Sequence, residues 1–233
     1  GESVVDSAPE NNYNAYSASR TLSVRERLNG EKETLGLYLT GHPIDEYEDE
    51  LKVMLPQRIV NLRPGKDAET ISGMVVGMRI MKNKRGDSFA FLTLDDKSGR
   101  IELSVWADKY NAYREILAKD ALLVVKGAVS EDSFTGGLKM VAESIQSIYE
   151  ARCSKLRRLE LNITAGSDDW VEQVHTTLSG FKDGNCAVTV DYHQPHASGT
   201  LKLGSHWKVQ PRDELISRLR EQFGKTNVSM GYD

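Results

Sequence analysis

From about residue 70 to residue 147 the apolar positions fall into five short runs, each bounded by turn residues. The spacing predicts strands at 70–81, 88–94, 100–106, 121–129 and 138–148. The third is the clearest, with Ile101, Leu103 and Val105 alternating against polar neighbours. Between the third and fourth runs, Tyr110, Tyr113, Ile116 and Leu117 recur at helical spacing, which predicts one helix over 108–117. The first strand carries Gly73 and Gly77, which permit the sharp coiling of a strand that must close on itself. Asp95-Asp96-Lys97-Ser98-Gly99 reads as a turn, because an Asp side chain bonds the backbone two residues on. Phe134-Thr135-Gly136-Gly137 reads as a second turn.

A different rhythm flanks this block. Upstream, Leu28, Leu35, Tyr38 and Leu39 are near helical spacing, and Gly41 fits just past a helix end. Pro43 opens a short acidic helix over 44–54, and Pro56 and Pro64-Gly65 mark a connection. Downstream, a basic joint at 152–158 leads into an alternating strand at 156–163. Ser167 is placed to cap a helix with Trp170, Val171, Val174 and Leu178. Strands follow at 187–192 and 200–209, joined by a loop with Pro195 and Ser198-Gly199. Pro211 opens a helix bearing Leu215, Ile216, Leu219 and Phe223, Gly224 ends it, and 228–232 is a last strand. Strand, helix, strand, strand, helix, strand predicts helices on one face of a sheet. The fold class expected is therefore mixed α+β: a five-stranded OB-fold barrel preceded by short helices and followed by a small α+β domain. The expected boundaries are a flexible linker at 1–22, a helical lead-in at 23–68, the barrel at 69–150 and the terminal domain at 155–233. The linker rests on small polar residues such as Asn11, Asn12, Asn14, Ser17 and Ser19.

Composition narrows the function. The 233 residues are 39% hydrophobic with a net charge of −4, so a bulk nucleic-acid coat is excluded and any phosphate contact must come from a local basic patch. Cys153 and Cys186 are too few for a disulfide framework, which points to a reduced, cytoplasmic protein. No apolar run approaches the length of a membrane span and no signal peptide opens the chain. A first residue of Gly1 suggests a piece excised from a longer protein.

The barrel supplies the basic patch. Arg79, Lys82, Lys84 and Arg85 lie on its first hairpin, beside the groove in which barrels of this type hold a single strand. Phosphate contacts there position the strand without reading its sequence. Phe89 and Phe91, two positions apart, share a face, and Trp106 ends the third strand. Facing out they are stacking platforms; facing in they are core. In the last domain, Trp207, read as lying on a strand, together with Arg212, Arg218, Met230 and Tyr232 suits a protein interface. His42, His175, His193, His196 and His206 lack metal-ligand spacing, and no nucleophile or phosphate-cradling motif is present, so neither catalysis, metal nor cofactor is expected.

Three segments carry a resemblance to a known family: EKETLGLYLTGHP at 31–43, TLDDKSGR at 93–100 and GGLKM at 136–140. They resemble the alpha subunit of bacterial DNA polymerase III, in its C-terminal region, from about residue 31 to the end. The barrel segments also share their outline with anticodon-binding barrels of class II aminoacyl-tRNA synthetases. The polymerase resemblance implies a barrel that contacts single-stranded template and a terminal domain that binds the tau subunit of the clamp loader. It also implies that the catalytic aspartates lie outside this chain. The Gln-x-x-Leu/Met-x-Phe clamp motif is missing, and 227–232 matches it poorly. Two alternatives stay open: an RNA-binding barrel of the anticodon type, and a protein-interaction scaffold.

Overall fold

The computed structural model describes residues 27, 28, 30, 31, 34, 41–133, 136–164, 169–194 and 197–232. The expected linker at 1–22, Leu35, Tyr38, Leu39, Phe134, Thr135, the Ser167 cap, Pro195 and His196 lie outside them. The chain forms two compact units, 1–45 and 46–233. In the first, the described residues between 27 and 34 are helical and Leu28 is buried. Gly41 does not take the left-handed conformation of a helix-ending glycine. In its place, the Asp45 carboxylate accepts a hydrogen bond from the His42 backbone N–H at 2.8 Å.

The expected acidic helix is split. A 3-10 turn at Pro43–Tyr47 precedes helix α1, Glu48–Met54, whose first turn gathers Glu48, Asp49 and Glu50 where acids favour a helix start.

The second unit contains the barrel, closed in the order β1-β2-β3-β5-β4. Its strands are β1 (Ala68–Lys82), β2 (Ser88–Asp95), β3 (Arg100–Val105), β4 (Leu122–Glu131) and β5 (Leu138–Ser147). Helix α2, Ala107–Tyr113, follows β3. The long first strand serves two neighbours. Ala68–Met74 pairs with β4, and Met74–Lys82 pairs with β2, with a bulge between Val75 and Gly77 at the changeover. The glycines expected to permit coiling stand at this bend, where a Cβ on Gly73 would lie 3.0 Å from the Leu94 Cβ. Inside the barrel, Ile71, Val75, Ala90, Leu92, Leu94, Ile101, Leu103 and Val105 pack against Leu123, Val125, Met140 and Ile145. Leu117 joins this core, and Tyr110 and Tyr113 pack against it.

The 95–99 turn has the expected chemistry and one further role. Asp95 accepts from the Lys97 backbone N–H (2.8 Å), and Asp96 Oδ1 from the N–H groups of Ser98 and Gly99. Asp96 Oδ2 accepts from Arg58 Nε and from the Ile59 N–H, each at 3.0 Å. The buried Asp96 thus ties the lead-in to the barrel.

The stretch 152–158, expected to be a joint, belongs in its first half to helix α3, Ile148–Lys155. Its start is a capping box: Ser147 Oγ accepts from the Glu150 N–H, and the Glu150 carboxylate accepts from the Ser147 N–H. Beyond it lies a four-stranded sheet in the order β8-β7-β6-β9. The strands are β6 (Leu156–Thr164), β7 (Lys182–Gln194), β8 (Ala197–Lys202) and β9 (Val228–Tyr232). Helices α4 (Trp170–Ser179) and α5 (Asp213–Phe223) supply Val174, Leu178, Leu215, Ile216 and Leu219 to one core with Leu159, Leu161, Val188 and Val190.

Three boundaries differ from expectation in this domain. The strand expected at 187–192 is longer, running Lys182–Gln194. Ser198-Gly199 is within β8, paired with His193 and Tyr192, not in a loop. The strand expected over 200–209 stops at Lys202, and Trp207 lies in a 3-10 turn, Ser205–Trp207, closed by Trp207 N–H to Gly204 C=O at 2.9 Å. Trp207 therefore lies on no strand. Val209 then touches β7 again at Lys182 and Cys186, over Gly184, where a Cβ would fall 1.9 Å from the Val209 oxygen.

Candidate nucleic-acid interface

The orientation of β2 decides the site. Ala90, Leu92 and Leu94 pair with Val105, Leu103 and Ile101, and all six are buried in the barrel. Pleating then turns Phe89 and Phe91 outward. The Phe89 and Phe91 rings meet edge to face at 5.6 Å. Trp106 lies 5.6 Å from Phe89 and 6.1 Å from Phe91 and is 47% exposed. Met81 pairs with Phe89 on β1 and extends the apolar surface. Three aromatic rings and a thioether thus form a partly exposed shelf over β1, β2 and the end of β3, with Met81 and Trp106 its most open members. Rings of this kind present faces to unstacked bases, and each stacked base is worth about 1–3 kcal/mol.

Arg79 is not at the hairpin tip but on the shelf, paired in register with Phe91. Its guanidinium carbon is 5.8 Å from the Phe91 centroid, and its Nη2 is 3.3 Å from Glu102 Oε2. A phosphate reaching Arg79 must compete with that carboxylate.

The tip itself is built on Asn83. Its Oδ1 accepts from the N–H groups of Arg85 (2.8 Å) and Asp87 (2.9 Å), and its Nδ2 donates to Asp87 Oδ2 (3.0 Å). Gly86, at φ 89°, closes the turn in a conformation that glycine adopts without strain. Lys82, Lys84 and Arg85 are exposed and make no ion pair among the described residues. Three unpaired cations therefore stand on an ordered loop beside the aromatic shelf.

The residues expected at a partner surface do not converge. Trp207 is packed against the second core, with Lys182 Nζ 3.7 Å from its ring centroid and His175 5.0 Å away. Arg218 pairs with Glu214 at 2.5 Å, and Arg212 lies over the Tyr149 ring and bonds Gln210. Met230 and Tyr232 are on β9, at the edge of the sheet opposite β8. The Tyr232 hydroxyl donates to Glu50 Oε1 at 2.5 Å, and burial followed by the Glu50 charge pushes its pKa well up.

That hydroxyl belongs to a network with no expectation from sequence. Arg152, 1% exposed, donates from Nε and Nη2 to the two oxygens of buried Glu50 (2.6 and 2.8 Å). Its Nη1 donates to Asp213 (2.7 Å) and to the Pro211 carbonyl (3.0 Å), and Tyr47 donates to Asp213. Burial alone would lower the Arg152 pKa, but Glu50 and Asp213 outweigh it and hold the guanidinium charged.

Residues 69–148 match the family described as an OB-fold nucleic acid binding domain, which sets the class of the barrel. The second OB-fold domain of replication protein A from Methanococcus maripaludis is 24% identical, covering 40% of this chain and 93% of that one, with a TM-score of 0.31. Residues 173–224 match the family described as DNA polymerase III subunit alpha, C-terminal domain. DNA polymerase III subunit alpha of Pseudomonas aeruginosa is 44% identical over 222 residues, 94% of this chain and 19% of that protein. The Escherichia coli K12 protein of the same name is 35% identical over 235 residues, 99% of this chain and 20% of that protein. The chain belongs to the DNA polymerase III subunit alpha family and corresponds to its C-terminal region. It spans about one fifth of the length of these curated relatives. Among the described residues no helix is long and apolar enough to cross a membrane.

Proposed function

We propose that this chain is a non-catalytic part of a replicative, cytoplasmic DNA polymerase. Its barrel holds single-stranded template DNA, and its terminal sheet docks the tau subunit of the clamp loader. The observation that carries the first half is the aromatic shelf of Phe89, Phe91 and Trp106 beside three cations, Lys82, Lys84 and Arg85, that form no ion pair among the described residues. Bases stack on the shelf while the tip follows the phosphates. Arg79 contributes when it leaves Glu102. A single strand fits this chemistry better than a duplex, whose bases are already stacked. The docking half is supported by membership of the alpha-subunit family, and on this reading Met230 and Tyr232 are its contact residues. Met230 and Tyr232 qualify by their place on the edge strand β9, although both also pack against the second core; Trp207, Arg212 and Arg218 lie off that edge and pack or pair within the chain.

The test is anisotropy of a labelled single strand of about 20 nucleotides, at about 50 and about 200 mM salt. Salt-sensitive binding with DNA at least as tight as RNA of equal sequence is the expected result. Strong preference for RNA would favour the anticodon-type reading. No binding at the lower salt would refute the template reading. Titration with purified tau tests the docking half separately.

A further inference from the structure

Arg79 and Glu102 pair across a strand that carries neither of them. Arg79 is on β1 and Glu102 on β3, and β2 lies between these strands in the barrel. In register, Arg79 stands opposite Phe91, and Glu102 stands opposite Thr93. Their contact, Nη2 to Oε2 at 3.3 Å, is therefore a diagonal over the outer face of β2, between Phe91 and Thr93. The guanidinium lies over the Phe91 ring, 5.8 Å from its centroid, where a base would otherwise stack. The fold gains little from this arrangement. The two side chains are 72% and 42% exposed, and ion pairs so open to water contribute little stability. Asp95, which pairs with Arg100 at 2.7 Å, also holds the 95–99 turn, so that acid has a structural duty. Glu102 has none of this kind: among the described residues its carboxylate bonds only Arg79. An acid thus stands on the face that carries the stacking rings, and it holds nothing but the one cation there that reaches over Phe91.

We propose that Glu102 sets the affinity of the barrel for a single strand. With Arg79 it forms a strap across β2, which a strand must open before a base stacks on Phe91 and a phosphate takes the guanidinium. The proposal rests on the reading of the barrel as a holder of single-stranded template, and it names the residue that limits the grip. In the closed strap the charge of Arg79 is already neutralised. Binding a phosphate exchanges one anion for another and leaves the Glu102 carboxylate bare, so this contact releases no net counterion. Lys82, Lys84 and Arg85 attract the strand, while the strap withholds a fourth cation from it. The strand is therefore held firmly at the tip and loosely over Phe91, which suits a strand that has to move along the barrel.

The test measures single-strand binding of the whole chain by anisotropy at several salt concentrations, for wild type, Glu102→Gln, Arg79→Gln and the double variant. Glu102→Gln should bind about threefold more tightly at about 50 mM salt, with a salt slope steeper by about 0.7, because Arg79 then neutralises one more phosphate. In the Arg79→Gln background the same change should bring no gain in slope and less than about a twofold gain in affinity. Glu221→Gln, an equal change of charge at an exposed position on α5 in the terminal domain, should leave both unchanged. All four substituted proteins should unfold at the wild-type urea midpoint, since the positions changed are open to solvent. Binding by Glu102→Gln no tighter than wild type overturns the proposal. So does an equal gain in the Arg79→Gln background, which would mean that Glu102 only repels phosphate, or an equal gain from Glu221→Gln. If wild type binds and Glu102→Gln does not improve on it, the template reading stands and the strap falls. If no variant binds a single strand at the lowest salt, the template reading fails and the strap with it.

Discussion

Arg152 and Glu50, 102 positions apart in the chain, form a two-pronged ion pair in which both side chains are at most 3% exposed. Glu50 belongs to the lead-in before the barrel, Arg152 to the helix after it, and Asp213 and Tyr232 bring in the terminal sheet. One guanidinium therefore sits where three parts of the chain meet. Removing one partner strands a buried charge. Arg152→Met is expected to cost about 3–5 kcal/mol, and the double variant Glu50→Leu/Arg152→Met should recover much of it, since buried pairs are often replaceable by apolar packing. Guanidinium chloride unfolding of the four proteins of this cycle measures it. A double variant as unstable as the single one would show that the pair contributes net stability.

Replacing Lys82, Lys84 and Arg85 together by Ala should weaken single-strand binding by a similar factor for every sequence. On a single strand the salt slope falls by about 0.7 for each phosphate no longer neutralised, so the triple variant should show a slope lower by about 2. An unchanged slope removes the tip from the interface. Stability should stay within about 0.5 kcal/mol of wild type, because these side chains are exposed and the turn is held by Asn83.

Trp106→Ala should cost about 1–3 kcal/mol of single-strand affinity with no change in salt slope, since stacking releases no counterions. Titrations at several salt concentrations, compared with those of the tip variant, separate the two contributions. A lower slope for Trp106→Ala would mean that the shelf and the tip do not act independently.

Cys186 is 2% exposed, and burial, helped by the neighbouring Cys153, pushes its thiol from 9.0 up to about 11. Above pH 9 the unfolded chain releases this proton while the folded chain keeps it. Stability from this group is therefore intact below about pH 9 and falls as pH rises toward 11. A tenfold difference in acidity between the folded and unfolded thiol corresponds to about 1.4 kcal/mol, so the loss should reach about 1–2 kcal/mol. Cys186→Ala should show a shallower decline in urea unfolding between pH 8 and about 10.5. Equal slopes for the two proteins would contradict the assignment.

The barrel was legible because its strands alternate and its turns use Asp and Gly where the backbone needs them. The facing of β2 was not, because Phe89, Ala90, Phe91, Leu92 and Leu94 leave almost no polar position from which to read a period. Pairing with Ile101, Leu103 and Val105 decides it, and that is a tertiary fact. Arg152 looked like one more cation in a basic run, since nothing local marks a residue whose partner lies 102 positions away. Helix α3, by contrast, did carry a local mark, the Ser147–Glu150 capping box. The break at Lys202 follows from the Gly204–Trp207 turn, to which an alternation of apolar residues is blind.

The barrel is sealed by a short parallel seam in which Glu102, Leu103 and Ser104 of β3 meet Lys139, Met140 and Val141 of β5. Every other junction of the barrel is antiparallel. During synthesis, a chain that has emerged only through β4 has β1, β2 and β3 ready to pair, yet β3 and β4 each present a bare edge. Such edges invite pairing with another chain. Until β5 arrives both edges of the barrel are open to pairing with another chain, and β5 closes the two at once.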